Sequence, residues 1–342
     1  MTFKKDYFQE VLTQILSIDS PSGFTKNVTD RLKSYIDDLG YDSKFTNKGN
    51  LIAQIPGVSD KTIAISAHVD TLGLCVRGFN SDGTLSFSTL GGPIIPTLDG
   101  EYCKIYTRNG KTYTGTILSN APASHVFADS SKLERSAANM HIRLDEIVKS
   151  ADDTKKLGLL PGDPVCYDPK TVITPQGFIK SRFLDDKLSC AIVLTTLKYL
   201  KENAITPPNN ITVIFTTNEE VGHGLSHIPP GITEILAVDM GCIGSDLSCT
   251  EYDVSICAKD STGPYNYDLT SRLINLAKSN NLCYAVDIYP YYGSDVSAAR
   301  SAGHDVIGGL IGPGVSASHG MERSHMLACE NTFKLLYLYL TS

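Results

Sequence analysis

The second half of the chain constrains the fold most, because helix-like and strand-like patterns alternate along it from Lys180 onward. Apolar runs of strand length separate segments in which apolar residues recur at helical spacing. The predicted order is helix 186–203, strand 211–217, strand 234–239, helix 267–280, strand 283–289, helix 294–302, strand 305–310 and helix 326–340. Such alternation is typical of an α/β domain in which helices cover a mostly parallel sheet.

The first 73 residues are predicted to belong to the same domain. Helical spacing of apolar residues predicts helices from Phe8 to Leu16 and from Val28 to Leu39. Strands are predicted from Leu51 to Ile55 and from Thr62 to Ser66, and the second leads directly into His68-Val69-Asp70. His68 is therefore expected to lie at the end of a strand.

Residues 74–176 show a different sequence pattern. Short β-like runs, such as Tyr102–Tyr106 and Tyr113–Leu118, are separated by Asn-Gly, Asp-Gly and Gly-Gly turns. This pattern predicts a small β-barrel or sandwich. We therefore expect an α/β domain formed by residues 1–73 and 177–342, interrupted by a β-rich insertion at residues 74–176.

Composition excludes several classes of partner. The 342 residues carry a formal net charge of −7, so the chain lacks the excess of basic residues that binding to nucleic acids or anionic lipid surfaces requires. We see neither a signal peptide nor an apolar run approaching the roughly 20 residues of a membrane span, and expect a soluble protein. The nine cysteines are scattered without a Cys-x-x-Cys pair, which favours reduced thiols and the cytoplasm.

Acids and a histidine follow three of the apolar strands. His68 and Asp70 lie two residues apart, so both side chains can face one side and the carboxylate can orient a metal-bound imidazole. Glu219 and Glu220 follow the strand at 211–217 and point in different directions, which allows one to bind metal and the other to act as a base. Asp239 ends another buried strand, where an unpaired carboxylate would be costly.

Two further positions complete the candidate set. Asp185-Asp186 opens a helix, where a carboxylate can cap free N–H groups or bind a metal. His319 follows a glycine-rich connection, and His325 is the alternative if His319 is not a ligand. The candidate ligand positions are therefore His68, Asp185-Asp186, Glu219-Glu220, Asp239 and His319. Such nitrogen and oxygen donors suit zinc, cobalt or manganese.

The order of these residues resembles that of the dinuclear metallo-aminopeptidases of the glutamyl aminopeptidase and tetrahedral (TET) aminopeptidase family. The resemblance spans essentially the whole chain and implies a zinc-exopeptidase-like fold with two divalent ions per subunit. It also implies that the β-rich insertion is a dimerisation domain and that dimers can assemble into a homo-oligomer of up to twelve subunits.

The resemblance also implies individual roles. His68 and Asp239 would bind one ion, Glu220 and His319 the other, and Asp185 would bridge them. Asp70 would orient His68, and Glu219 would be the general base. Asp295 matches a position near the substrate site. The sequence departs from the family at Thr71, Lys187 and Gly320, which leaves substrate preference open.

The expected function is hydrolysis of the N-terminal bond of small peptides. The nearest alternative is a metal-dependent deacylase of N-acyl amino acids, because the same ligands serve any amide carbonyl. A glycosidase is a weaker alternative, since its two carboxylates must flank a sugar bond and the histidines would be unused. A non-catalytic binding protein would not need an intact ligand set.

Overall fold

The computed structural model describes residues 1–342. The chain forms two compact units, of which unit 1 comprises Met1–Asp70 and Lys170–Ser342 and unit 2 comprises Thr71–Pro169. The predicted bounds at 73 and 177 lie three and seven residues later. The strand that begins at Gly73 belongs to unit 2, and the hairpin that begins at Val172 belongs to unit 1.

The elements are numbered along the chain. The helices are α1 (Lys5–Leu16), α2 (Lys26–Asp38), α3 (Ala151–Lys156), α4 (Leu184–Glu202), α5 (Tyr267–Ser279), α6 (Asp295–Ser301) and α7 (Met326–Thr341), with a 3-10 turn at Ile95–Leu98. The strands are β1 (Asp42–Phe45), β2 (Leu51–Ile55), β3 (Thr62–His68), β4 (Gly73–Phe79), β5 (Leu85–Leu90), β6 (Tyr102–Tyr106), β7 (Thr112–Ser119), β8 (Met140–Leu144), β9 (Pro164–Tyr167), β10 (Val172–Ile173), β11 (Phe178–Ser181), β12 (Asn210–Thr216), β13 (Ile232–Val238), β14 (Gly241–Cys242), β15 (Val254–Asp260), β16 (Gly263–Pro264), β17 (Tyr284–Ile288), β18 (Ile307–Val315) and β19 (Glu322–His325).

Unit 1 is built on a 10-stranded mixed sheet. Its main order is β1-β2-β12-β3-β13-β18-β15-β16, while β14 pairs with β18 and β17 pairs with β15. The central strands β12, β3, β13 and β18 run parallel to one another. Antiparallel pairs flank this centre, at β2 with β12 and at β15 with β18. The predicted helix-covered sheet is confirmed, with its parallel part at the centre.

The central strands are buried along nearly their whole length. In β3, every residue from Ile63 to His68 is buried, as expected for a parallel strand with helices on both faces. Helix α4 is buried on almost all sides from Leu184 to Leu197 and packs against β3, α1 and α7. A helix that is covered all round belongs to the core. Its first turn lies beside the end of β3, since Asp186 accepts a hydrogen bond from the main-chain N–H of His68.

Unit 2 contains a closed barrel with the strand order β4-β5-β8-β7-β6-β9. All its strand pairs are antiparallel. Of the two forms predicted for the insertion, a barrel or a sandwich, the structure contains the barrel. Closure gives each of these strands a neighbour on both sides.

The structure also contains elements that the sequence did not predict. Strand β15 pairs with both β17 and β18, although its sequence VSICAKD lacks strict alternation. Strand β18 continues to Val315, five residues beyond the predicted end at 310, because Gly312 lets it pass close to the main chain of Asp239. A Cβ atom at Gly312 would lie 1.5 Å from the carbonyl oxygen of Asp239. None of the helices combines the length and the apolar character needed to cross a membrane.

Candidate metal centre

The candidate ligands converge because the central strands are parallel neighbours. Strand β3 ends at His68, β12 is followed by Glu219 and Glu220, and β13 is followed by Asp239. The carboxyl ends of neighbouring parallel strands lie at one edge of a sheet, where α/β folds place their ligands. The register pairs Thr216 of β12 with His68 directly. Side chains far apart in sequence therefore meet at this edge.

Asp185 lies between the two predicted ligand histidines. Its Oδ1 is 2.9 Å from Nε2 of His68, and its Oδ2 is 3.6 Å from Nε2 of His319. The same nitrogen of His319 lies 3.7 Å from Oε2 of Glu220. Asp185 itself has the non-helical angles φ −75° and ψ 103°, so the regular helix starts after it. Each of its carboxylate oxygens thus faces a different histidine.

The ring of His68 is held in one orientation. Its Nδ1 lies 2.9 Å from the main-chain oxygen of Asp70, which can only accept a hydrogen bond, so Nδ1 carries the proton. In the neutral ring, Nε2 then presents a lone pair to Oδ1 of Asp185, which is also an acceptor. Two acceptors at 2.9 Å require a positive group between them. A proton or a metal ion fulfils this requirement.

Asp70 contacts more than the histidine. Its carboxylate lies 3.6 Å from Nδ1 of His68, farther than its own main-chain oxygen. The carboxylate instead accepts hydrogen bonds from the hydroxyl of Ser22 and, at 3.1 Å, from the main-chain N–H of Glu219. Asp70 therefore joins the turn after β12 to the end of β3, while the closest contact to the ring of His68 comes from its main chain.

Glu219 and Glu220 differ in exposure. The side chain of Glu219 is 16% exposed and places Oε2 3.8 Å from Nε2 of His68. The side chain of Glu220 is 4% exposed, and its Oε1 is buried without a hydrogen-bond partner. Burial and neighbouring acids, among them Asp239 for Glu219 and Asp185 for Glu220, raise the pKa of both glutamates well above their usual value. Only Glu219 reaches toward open space.

A second group of ligand atoms surrounds His68, Asp186 and Asp239. These three side chains offer atoms within 4.8 Å of one another, as do His68, Asp185 and Glu220. Asp186 accepts a hydrogen bond from the main-chain N–H of His68 at 3.2 Å, and its Oδ1 is buried without a partner. Burial and the charge of Asp185 raise the pKa of Asp239 to about 7. The family resemblance assigned no role to Asp186.

His319 and His325 differ sharply in their surroundings. The main-chain N–H of His319 donates to Oε1 of Glu322 at 3.0 Å, and the N–H of Asp185 donates to Oε2 of the same residue at 3.1 Å. His325 caps α7 through Nδ1, contacts the carbonyl of Gln176 through Nε2 and packs against the ring of Phe178. Both its nitrogens are used, so the structure removes His325 as the alternative ligand.

The sequence indicated little or no role for three residues near the centre, of which two are buried and Tyr292 is partly buried. Glu322 is 2% exposed and joins the turns that carry His319 and Asp185. Asp295 accepts a hydrogen bond from Thr216, and burial raises the pKa of its carboxyl to about 6. The buried hydroxyl of Tyr292 interacts most strongly with the charge of Asp239. Glu322 follows His319 by three residues, which was the only sequence signal for it.

The donor set fits divalent metal ions. Histidine nitrogens and carboxylate oxygens suit zinc, cobalt and manganese. The unpartnered oxygens of Asp186 and Glu220 would be costly inside a protein without a cation. The pKa of His68 would be lowered by burial, yet the hydrogen bond to Asp185 and the charges of Glu219 and Asp239 raise it well above its usual value. The cluster thus contains more acidic than basic side chains, which favours a bound cation.

The chain is similar in sequence to known proteins. The sequence profile of the M42 glutamyl aminopeptidase family matches residues 49–335. The protein YhfE of Bacillus subtilis (strain 168) is 45% identical over 335 residues, which cover 97% of both chains.

Solved structures share the fold at lower identity. A TET aminopeptidase from the marine sediment archaeon Thaumarchaeota archaeon SCGC AB-539-E09 superposes with a TM-score of 0.89 at 21% identity and covers 98% of this chain and 96% of that one. The TET1 peptidase of Pyrococcus horikoshii, which can assemble into a tetrahedron or a large octahedral shell, gives a TM-score of 0.85 at 22% identity, with 98% and 99% coverage. The predicted resemblance to TET aminopeptidases is confirmed.

Proposed function

The chain belongs to the M42 glutamyl aminopeptidase family, and we propose that it removes N-terminal residues from small peptides at a dinuclear metal site. The observation that carries this proposal is the position of Asp185, whose two oxygens face His68 and His319 separately. A carboxylate so placed can bind two ions at once. The proposed ligands are His68, Asp185, Glu220, Asp239 and His319.

In this proposal, His68 and Asp239 hold one ion and Glu220 and His319 hold the other. Zinc or cobalt is the proposed metal, with manganese as the third candidate. Asp70 orients the ring of His68, in keeping with the 2.9 Å contact from its main-chain oxygen. Such supporting contacts fix the direction of a ligand nitrogen.

The protein residues supply the proton transfers. When bound, the two ions would polarise the scissile carbonyl and increase the acidity of a water molecule. The carboxylate of Glu219 would accept a proton as the water oxygen forms its bond to the carbonyl carbon. Glu219 would then deliver that proton to the leaving nitrogen as the C–N bond breaks. The partial exposure of Glu219 supports this role, because a base must reach the substrate.

A direct test compares free and blocked substrates. The metal-free protein is assayed on aminoacyl p-nitroanilides and on N-acetyl amino acids, before and after zinc, cobalt or manganese is restored. We expect metal-dependent release from the free-amine substrates alone. Hydrolysis confined to the N-acetyl compounds would instead identify a deacylase, and no hydrolysis of either set would contradict both activities. The glycosidase alternative gains no support from carboxylates that share one cluster with two histidines.

The assembly and location of the protein are further parts of the proposal. We propose that unit 2 mediates dimerisation and that dimers build a larger homo-oligomer, as the shells of Pyrococcus horikoshii TET1 suggest by analogy. Light scattering would then give a mass at least twice that of the 37.0 kDa chain. The free cysteines, most of them buried, support a cytoplasmic location.

A further inference from the structure

The hydroxyl of Tyr292 is a buried polar group beside the metal centre with no hydrogen bond of normal geometry. It lies in the segment between β17 and α6, and its ring packs edge-on against Tyr289 with a centroid distance of 5.4 Å. The charges that act on it most strongly belong to Asp239, Asp185 and Glu219. The hydroxyl therefore lies at the side of the centre formed by Asp239.

The main chain holds Tyr292 firmly in this place. Its carbonyl oxygen accepts hydrogen bonds from the N–H of Ser261 at 3.0 Å and from the hydroxyl of Ser261 at 2.7 Å. A few residues on, Ser294 contacts the hydroxyl of Tyr265, which donates to the buried carboxylate of Asp260. The segment is thus anchored at the tyrosine and two residues after it, and its hydroxyl is positioned in advance.

Buried tyrosine hydroxyl groups normally have a hydrogen-bond partner. Burial and the charge of Asp185 raise the pKa of the Asp239 carboxyl, and a hydrogen-bonding contact from Tyr292 opposes this rise only in part. The geometry of that contact falls short of a regular hydrogen bond. The missing partner can therefore be an atom that enters the site with the substrate.

The chemistry of amide hydrolysis identifies that atom. The surrounding carboxylates only accept hydrogen bonds when they are ionised, whereas the phenol can donate one. As water adds to the scissile bond, negative charge develops on the carbonyl oxygen, and a fixed donor at that point stabilises the transition state. We propose that Tyr292 donates a hydrogen bond to this oxygen, a role that rests on the proposed aminopeptidase function.

The test is Tyr292→Phe, which removes only the hydroxyl. The variant should keep its metal content and its KM while kcat falls by about 10²–10³-fold, as when one donor to a developing oxyanion is lost. Calorimetry adds a second readout. An aminoalkyl phosphonate that mimics the tetrahedral intermediate should bind the variant more weakly by a comparable factor, while the corresponding free amino acid binds unchanged.

The neighbouring tyrosine provides a matched control. Tyr291 is 99% exposed, so Tyr291→Phe should leave kinetics, phosphonate binding and metal content unchanged. Wild-type kcat in Tyr292→Phe would overturn the proposal. A variant that loses metal and recovers its rate in excess metal would also overturn it, because Tyr292 would then position Asp239. If the wild-type protein fails to cleave free-amine substrates, the proposed function fails, and phosphonate binding still decides the role of Tyr292.

Discussion

Glu219 and Glu220 show how position separates two chemically similar side chains. The buried Glu220 lies 3.7 Å from the ring of His319, whereas Glu219 is partly exposed beside His68. The sequence predicted only that the two side chains point in different directions, as neighbouring residues on an extended segment do, and the family resemblance assigned the role of base to Glu219.

We predict that Glu219→Gln keeps its fold and metal content but loses about 10²–10⁴-fold in turnover, because glutamine cannot accept the proton. Steady-state kinetics and elemental analysis check both parts. Glu220→Gln is the matched control and should instead lower metal content. Near-normal turnover in Glu219→Gln would remove Glu219 as the base.

Other residues of the site could not be predicted from local sequence. Tyr292 interacts with the charge of Asp239, and Glu322 accepts a hydrogen bond from Asp185. More than 50 residues separate the first pair and more than 130 the second. Asp186 carries a plausible local role as a helix cap, which concealed its contact with the main chain of His68. Local sequence patterns did identify the side chains at strand ends, because a strand and the residue that follows it are neighbours in the sequence.

At the scale of elements, the parallel order of β12, β3, β13 and β18 creates the site. Alternating helix and strand patterns predicted this arrangement, since crossover helices return each strand in the same direction. The antiparallel position of β15 was not predicted, because its pairing with β18 is long-range and its sequence lacks clear alternation. The barrel form of unit 2 likewise depends on strand pairings that turn residues alone do not specify.

Glu322 connects the start of α4 with the turn after β18. Its carboxylate accepts a hydrogen bond from one main-chain N–H group in each. In Glu322→Gln, the amide NH₂ must face one of these donors, so one ligand-bearing turn loses its support. We predict metal affinity weaker by about 10–100-fold, measured by competition with a chelating dye. Glu330→Gln, on the outer part of α7, is the control, and equal affinity in both variants would contradict this role.

At the scale of the whole molecule, the acids of the metal centre link stability to pH. The pKa of Asp239 is raised from 3.8 to about 7, and those of Glu219 and Glu220 are raised as well. The metal-free folded protein therefore binds more protons than the unfolded chain between about pH 4 and 7. The contribution of these groups to its free energy of unfolding therefore falls as pH rises through that window.

Bound cations reverse this effect by balancing the ionised carboxylates, and they compete with fewer protons at higher pH. We predict that cobalt raises the melting temperature of the metal-free protein more at pH 8 than at pH 5.5. Calorimetric scans of both forms at the two pH values measure this difference. An equal rise at both values would show that these acids do not bind the metal in ionised form.

The central claim is that each chain holds two divalent ions between its five ligands and needs both for hydrolysis. The most direct measurement titrates the metal-free protein with cobalt while activity and bound metal are recorded together. We predict that two ions bind per 37.0 kDa chain and that activity reaches its maximum only with the second. Full activity with one ion per chain, or undiminished activity in the metal-free protein, would contradict the account.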